Sequence, residues 1–215
     1  MNALQTLAQA AGVAYSAGLN LYATIGIIGL AGRLGWIGPL PGSLAAFTSW
    51  WVITLALGLT AIELFASLVP AVASIWDTVH SFIRPPAAAA LAAATAWHGD
   101  PVFVLVAALI GGGVGATTHT TKLGLRYAVD ASPEPVSNGI MSVSELGLVS
   151  AVMIAVWNHP YITLALALTA LLGVMLLVRL IWRTLKQAFS GRWSSVRGAS
   201  ANAAAPDRAT NPDES

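Results

Sequence analysis

Apolar residues run along this chain in long blocks separated by short polar punctuation, and the blocks have the length of helices rather than strands. The first block covers residues 7–32, with Gly26, Gly29 and Gly32 spaced by three. It predicts a spanning helix whose small residues admit a close helical neighbour. GWIGPLPGS then reads as a Pro/Gly turn, and a second span follows from about Ala45 to Val69. Pro70 closes or kinks that span, because proline has no N–H for the helical ladder.

ASIWDTVHSFIR comes next and is amphipathic. Asp77, His80, Ser81 and Arg84 share one helical face at offsets of three, four and seven. Pro85 and Pro86 lead into the Ala-rich run AAAALAAATAW. A helix of about 12 residues covers only about 18 Å of a core that is about 30 Å thick. The segment near 71–97 is therefore expected either to join the helix before it or to be short and re-entrant. Asp100 and Pro101 form a helix start, an N-cap followed by proline at the first helical position. The fourth helix is expected to continue past Lys122 to about Val129, with a loop from Asp130 to Asn138 around Pro133 and Pro135. The fifth runs from about Gly139 to Trp157 and contains Glu145, and the sixth runs from about Tyr161 to Phe189. The expected fold is an all-α integral membrane protein of about six helices. One transmembrane domain, 1–190, is followed by a disordered cytoplasmic tail, 191–215, rich in Ser, Ala, Asn and Pro.

Composition agrees: 56% of the 215 residues are hydrophobic and 9% charged, against about 25% charged in soluble domains. A net charge of +1 gives no nucleic-acid partner. With no cysteine there are no disulfides or thiolate ligands. MNALQTLAQAAG lacks the basic n-region of a signal peptide, so the first block is expected to be retained and to span. Arg183, Lys186, Arg192 and Arg197 cluster near the end of the last helix, which predicts a cytoplasmic C-terminus in a bacterial inner membrane. Counting back through six passes puts Arg84, Lys122 and Arg126 inside, and Trp36, Trp50, Trp51, Trp97 and Trp157 in an outer aromatic belt.

A shift of 93 positions aligns Gly18, Thr24, Leu30 and Arg33 with Gly111, Thr117, Leu123 and Arg126. Three helices lie between the two stretches, so they would be inverted relative to one another. Inverted three-helix repeats with a short or broken helix are a recurring transporter plan.

The charged residues inside the blocks carry the candidate chemistry. Glu63 lies deep in an apolar run, and Glu145 lies one or two turns inside the fifth helix. A carboxylate in a span must protonate or find a cation, because an unpaired charge there costs several kcal/mol. His119, Lys122 and Arg126 share one face of the fourth helix. They read either as snorkelling side chains at its end or as one wall of a site. The candidate polar cavity or ion-pair network is Glu63, Asp77, His80, Arg84, His119, Lys122, Arg126 and Glu145. At least one glutamate is expected to contact Lys122, His119 or Arg126. GGGVGATTHTTK mimics nucleotide-binding loops, but no strand precedes it and Gly-Lys-Ser/Thr is absent. Gly111 and Gly115 read instead as a packing face, set against Gly26 and Gly29 of the first helix. No histidine or carboxylate spacing suits a metal, no serine forms a nucleophile elbow, and neither cofactor nor enzymatic chemistry is indicated.

GLNLYATIGIIGLAGRLGW (18–36), WDTVHSFIRPPAAA (76–89) and SPEPVSN (132–138) followed by SVSELG resemble an uncharacterised family of small bacterial membrane proteins, domain of unknown function 4126. The resemblance covers about residues 10–185 and implies a membrane location with no assigned function. The family pattern after the membrane glutamate is roughly Glu-x-x-x-Asp-Lys-x-Pro-x-x-Asp. Glu63, Ser67, Leu68, Pro70 and Ala73 stand at its positions here. An acidic pair after SPEPVSN is reduced to Glu145 and Leu146.

The leading functional expectation is a small-solute or anionic-lipid transporter with an inward-facing polar cavity. Its substrate would be a small anion or a lipid headgroup, and a homo-oligomer would fit. The alternative is a structural or assembly protein in which the same charges lock helix packing. A wet cavity around Glu63 and Lys122 would favour the first, and paired, dry charges the second.

Overall fold

Asn20 breaks the first apolar block into two helices, α1 (Ala3–Leu19) and α2 (Leu21–Arg33). Its backbone is extended, with φ −145° and ψ 105°. Its N–H closes α1 onto the Ser16 carbonyl, and its Oδ1 accepts from the Ala23 N–H at 2.9 Å to cap α2. The structure, a computed structural model, describes residues 2–130 and 135–203. A 3-10 segment, Gly42–Thr48, leads to α3 (Trp50–Ser67), α4 (Pro70–Thr95), α5 (Pro101–Asp130), α6 (Pro135–Asn158) and α7 (Pro160–Ala203). No strand occurs among the described residues.

Among the described residues, four helices are long and apolar enough to cross a membrane: α3, residues 101–127 of α5, residues 137–158 of α6 and residues 160–187 of α7. The protein is an integral membrane protein. Its surface agrees, with Trp51, Phe82, Leu109, Ile154 and many other large apolar side chains exposed. The 26 residues of α4 also suffice to span, at about 39 Å, but one face is charged. Compact packing groups Met1–Val174 in one unit, and α7 from Met175 onwards belongs to a second.

The first block does not cross. Ala3 and Thr6, at the start of α1, share a surface hollow with Pro41, Thr95, His98 and Phe103. At the far end of α1, Gly18 meets Gly115 and Thr118, halfway along α5. α1 therefore enters from the end where α4 and α5 join and stops at mid-depth. α2 returns to the same end: Ala31 and Trp36 line one groove with Trp157 and Asn158, at the close of α6. The pair is a re-entrant hairpin with its tip at Asn20. Seventeen and thirteen residues give arms of about 26 and 20 Å, each too short for a core of about 30 Å. Of the six expected spans, four are helices long and apolar enough to cross among the described residues, and the first block is a hairpin of two shorter helices instead.

Other sequence expectations fare differently. The Ala-rich run is neither short nor re-entrant, because α4 continues through Pro85 and Pro86. Buried helices tolerate such prolines where neighbours and Ser/Thr side chains satisfy the freed carbonyls. α5 extends to Asp130, one residue beyond the expected end. α6 starts at Pro135, four residues before Gly139, because proline at the first helical position lacks only an N–H that has no helical partner. Residues 131–134 of the expected loop, and 204–215 of the expected tail, lie outside the described residues. Where the tail was expected to begin, at 191, α7 continues to Ala203. The 93-position echo falls on unlike elements, the tip and second arm of the hairpin in one case and the middle of α5 in the other.

Glycines and alanines hold the hairpin in place. Gly111 and Gly115 pack against Ala92 and Ala88 of α4 and against Ala14 of α1. Gly26 meets Leu57 of α3, and Gly29 meets Ile53 and the Phe47 carbonyl. The four glycines do serve close packing, but the two pairs face different neighbours and do not face each other. A core of Ala10, Ala14, Ala17, Ala88 and Ala92 with Val149, Val152 and Val156 fills the space between α1, α4, α5 and α6.

Candidate functional site

The tip of the hairpin ends among six charged side chains, all at most 9% exposed: Glu63, Asp77, Arg84, Lys122, Arg126 and Glu145. α3 supplies Glu63, one helical face of α4 supplies Asp77 and Arg84, α5 supplies Lys122 and Arg126, and α6 supplies Glu145. Every charged or histidine residue that the sequence singled out for the site is buried in this region.

Lys122 is the hub. Its Nζ donates to Glu145 Oε1 at 2.6 Å, to Glu63 Oε1 at 3.0 Å and to the Leu19 carbonyl at 3.0 Å. The Leu19 carbonyl is one of the last in α1, so the ammonium satisfies a group that the helix cannot pair itself and sits at the negative end of the helix dipole. Arg84, fully buried, binds Glu63 Oε1 through Nη2. Its Nη1 donates to His119 Nδ1 at 3.1 Å. With Nδ1 accepting, His119 Nε2–H is left to donate to Ser81 Oγ at 3.0 Å, and Ser81 passes its own hydrogen to the Asp77 carbonyl at 2.8 Å. Arg126 Nε lies 3.0 Å from Asp77 Oδ2. That contact is close enough for Coulomb attraction but is not aligned as a hydrogen bond, and both atoms lack a hydrogen-bond partner among the described residues. His80 stands beside this chain. Its Nδ1 donates to the Trp76 carbonyl at 2.7 Å, Tyr22 donates to its Nε2 at 3.0 Å, and its ring stacks on Trp76.

Both glutamates therefore contact Lys122. The charges balance, with three carboxylates facing one lysine and two arginines. The remaining basic side chains here, His80 and His119, are engaged with neutral partners or accept from Arg84. Space around the cluster is scarce. Glu63, Glu145, Asn20, Ser67, Ser142 and Arg126 border a crevice of about 10 Å³, roughly the room one water needs. Glu63 Oε2 has no hydrogen-bond partner among the described residues.

A family described as "Domain of unknown function (DUF4126)" matches residues 7–182. The chain belongs to the DUF4126 family. No curated protein and no solved structure matches it. The family match takes in all of the charged cluster and the whole of α2, along with most of α1. Within this DUF4126 protein, sequence reasoning missed Asn20. It caps α2, donates to Glu145 Oε1 at 3.4 Å, and through its carbonyl accepts from Thr24 Oγ1 at 2.7 Å. A signal was available, since asparagine is a favoured N-cap and this one interrupts an apolar run. Ser67 and Ser142 were also missed. Their hydroxyls bond at 2.6 Å between α3 and α6, just beyond the glutamates.

No group of three or more potential metal ligands occurs among the described residues. The site can hold and redistribute charge. Lys122 is shared by two carboxylates and Glu63 is shared by two cations, so moving one proton or one side chain changes several pairs together.

Proposed function

We propose that this DUF4126 protein is a small-solute carrier whose moving part is the α1–α2 hairpin and whose binding region is the charged cluster at its tip. The observation behind this reading is the meeting of a helix break at Asn20 with six buried charges. Broken helices that end near the bilayer midplane expose half-helix termini, which in membrane carriers bind substrates and coupling ions. Six intramembrane charges are expensive to maintain, and buried ion pairs are often no more stabilising than apolar packing, so a role beyond stability is favoured. The reading involves no bond-making on the solute. The balance of three acids and three bases gives no surplus positive charge for an anion, so an anionic solute or lipid headgroup is not the favoured substrate.

The membrane we propose is a bacterial inner membrane, with the end of α7 in the cytoplasm. Arg179, Arg183 and Lys186 lie near that end of α7, and basic residues favour the cytoplasmic side. The Trp-rich end, with Trp36, Trp50, Trp97 and Trp157, then faces outward.

A second reading has its own support. Every charge in the cluster has an oppositely charged neighbour, and the adjoining crevice holds about one water. These are features of a lock that fixes helix packing. Uptake of a panel of small solutes by proteoliposomes separates the two. Flux that disappears in Glu63→Gln while the variant remains folded supports the carrier. An inert wild type in which Glu63→Gln lowers only the melting temperature supports the lock.

A further inference from the structure

We infer that Glu63, Glu145 and the Leu19 carbonyl form a monovalent-cation site in which the Lys122 ammonium is the resident cation, exchangeable for a sodium ion. This inference rests on the carrier reading above and names a substrate class for it, a cation moved against a proton.

Three oxygens converge on one ammonium, from Glu145 at 2.6 Å and from Glu63 and Leu19 at 3.0 Å. Two are carboxylate oxygens, and the third is a carbonyl near the end of a broken helix. Hard cations prefer oxygen ligands, and terminal carbonyls of discontinuous helices are recurrent ligands for sodium or a proton. An independent feature points to the same place. Glu63 is 5% exposed, yet its Oε2 has no hydrogen-bond partner among the described residues, and Glu63 and Glu145 both border the small crevice. Glu63 thus has coordinating capacity that Lys122 and Arg84 leave unused, beside a crevice with room for about one water.

The surroundings allow exchange without a change in net charge. Lys122 faces Glu63 from α3 and Glu145 from α6. Arg84 of α4 lies behind Glu63, with Asp77 and His80 on the same helix, and Tyr22 of α2 sits against His80. On its own helix His119 is held by Arg84 and Ser81, and Arg126 by Asp77. Replacing the ammonium by any other monovalent cation leaves the tally of three negative and three positive charges intact. In the exchange, sodium binds the three oxygens while one Lys122 N–H bond breaks. The proton passes to a solvent water, and the lysine withdraws as a neutral amine. Nothing is oxidised or reduced, and one cation enters as one proton leaves.

The test uses the full chain in detergent with sodium chloride against choline chloride as probes. In wild type at mildly alkaline pH, adding sodium to weakly buffered protein should release protons, and choline should release none. In Lys122→Met the site is vacated, so the melting midpoint should rise with the logarithm of sodium concentration. That rise should vanish in the Lys122→Met, Glu63→Gln double variant. If Lys122→Met does not fold, wild-type proton release decides alone. Absence of sodium-specific proton release in wild type, together with equal midpoints in sodium and choline for a folded Lys122→Met, overturns the inference. These are binding measurements, so they separate the inference from the carrier reading. Sodium binding without flux in liposomes would sink the carrier alone, and flux of another solute without sodium binding would sink the site alone.

Discussion

The Lys122 ammonium lies 3.0 Å from the carbonyl oxygen of Leu19, 103 positions earlier in the chain. That contact joins the last third of the longest helix lying wholly in the first unit to the end of an interrupted one. It ties the hairpin tip to the charge cluster, because the same ammonium holds both glutamates. Movement of the tip and rearrangement of the ion pairs are thus one event: Leu19 cannot withdraw without Lys122 losing a ligand.

Truncating Lys122 should be severe. Lys122→Met strands Glu145 and leaves Glu63 with Arg84 alone, in a site at most 9% exposed. Breaking a buried pair costs about 3–5 kcal/mol, because the remaining charge is uncompensated. Glu145→Gln should cost less, since Glu63 still pairs with Lys122 and Arg84. Exchanging the partners, Lys122→Glu with Glu145→Lys, should recover part of the loss. Thermal or denaturant unfolding in detergent checks all three, and equal melting temperatures for Lys122→Met and wild type would contradict the ion-pair geometry.

Asn20 should matter out of proportion to its size. Asn20→Ala removes the α2 cap, worth about 0.5–2 kcal/mol, and with it the Glu145 contact. Asn20→Ser keeps a capping oxygen and should retain more stability. If the two variants melt together, the cap contributes nothing and the break is held by packing alone.

The hairpin makes a topological prediction that a spanning first helix does not. The chain has no cysteine, so single cysteines report cleanly. Cysteines replacing Ala3, Gly38 and His98 should all react with an impermeant maleimide from one face of sealed vesicles, and a cysteine replacing Val69 from the other. Under the proposed orientation, protease added to intact spheroplasts should leave the C-terminal tail uncut. Labelling of position 3 from the face opposite to position 38 would restore a crossing first helix and remove the hairpin.

How far the sequence led is clearest at these positions. Glu63, Lys122 and Glu145 were legible because a charge within a long apolar run has few places to go, and antiparallel neighbours joined by a short turn bring equal depths together. Asp77, His80 and Arg84 were legible as one face of a helix. The break at Asn20 was not, because apolar character is nearly unchanged on either side and hydropathy does not register direction. Length carried the missing hint: residues 3–33 as one straight helix would extend about 46 Å, well beyond a bilayer core. The Ala-rich run left two alternatives open, joining the helix before it or being short and re-entrant, and α4 takes the first. Inside a packed membrane protein proline is tolerated in a continuing helix. Which residues pair within the cluster was out of reach beyond the Lys122 contacts, since arginine geometry depends on helix rotations that no spacing specifies.

Neighbouring glycines in GGGVG should respond in opposite directions. Gly115 faces α4, where an added Cβ would collide with the Ala88 side chain. Gly111 meets Ala92 in the same way one turn earlier. Both alanine side chains spring directly from backbone and cannot rotate aside, so α4 and α5 would have to separate. Overpacking of this kind costs about 1–3 kcal/mol. Separation would also pull Arg84 on α4 away from His119 on α5, loosening the cluster one turn below. Gly113 lies on the exposed side of the same helix, with nothing within 4 Å of its notional Cβ. There alanine only removes backbone freedom from the unfolded chain, and Gly113→Ala should stabilise by about 0.5–1 kcal/mol. Melting temperatures of Gly111→Ala, Gly113→Ala and Gly115→Ala in one detergent provide the check. A fall at 111 and 115 with a rise at 113 matches α5 packing through one glycine edge onto α4. Equal falls at all three would mean that the exposed side of α5 is covered as well.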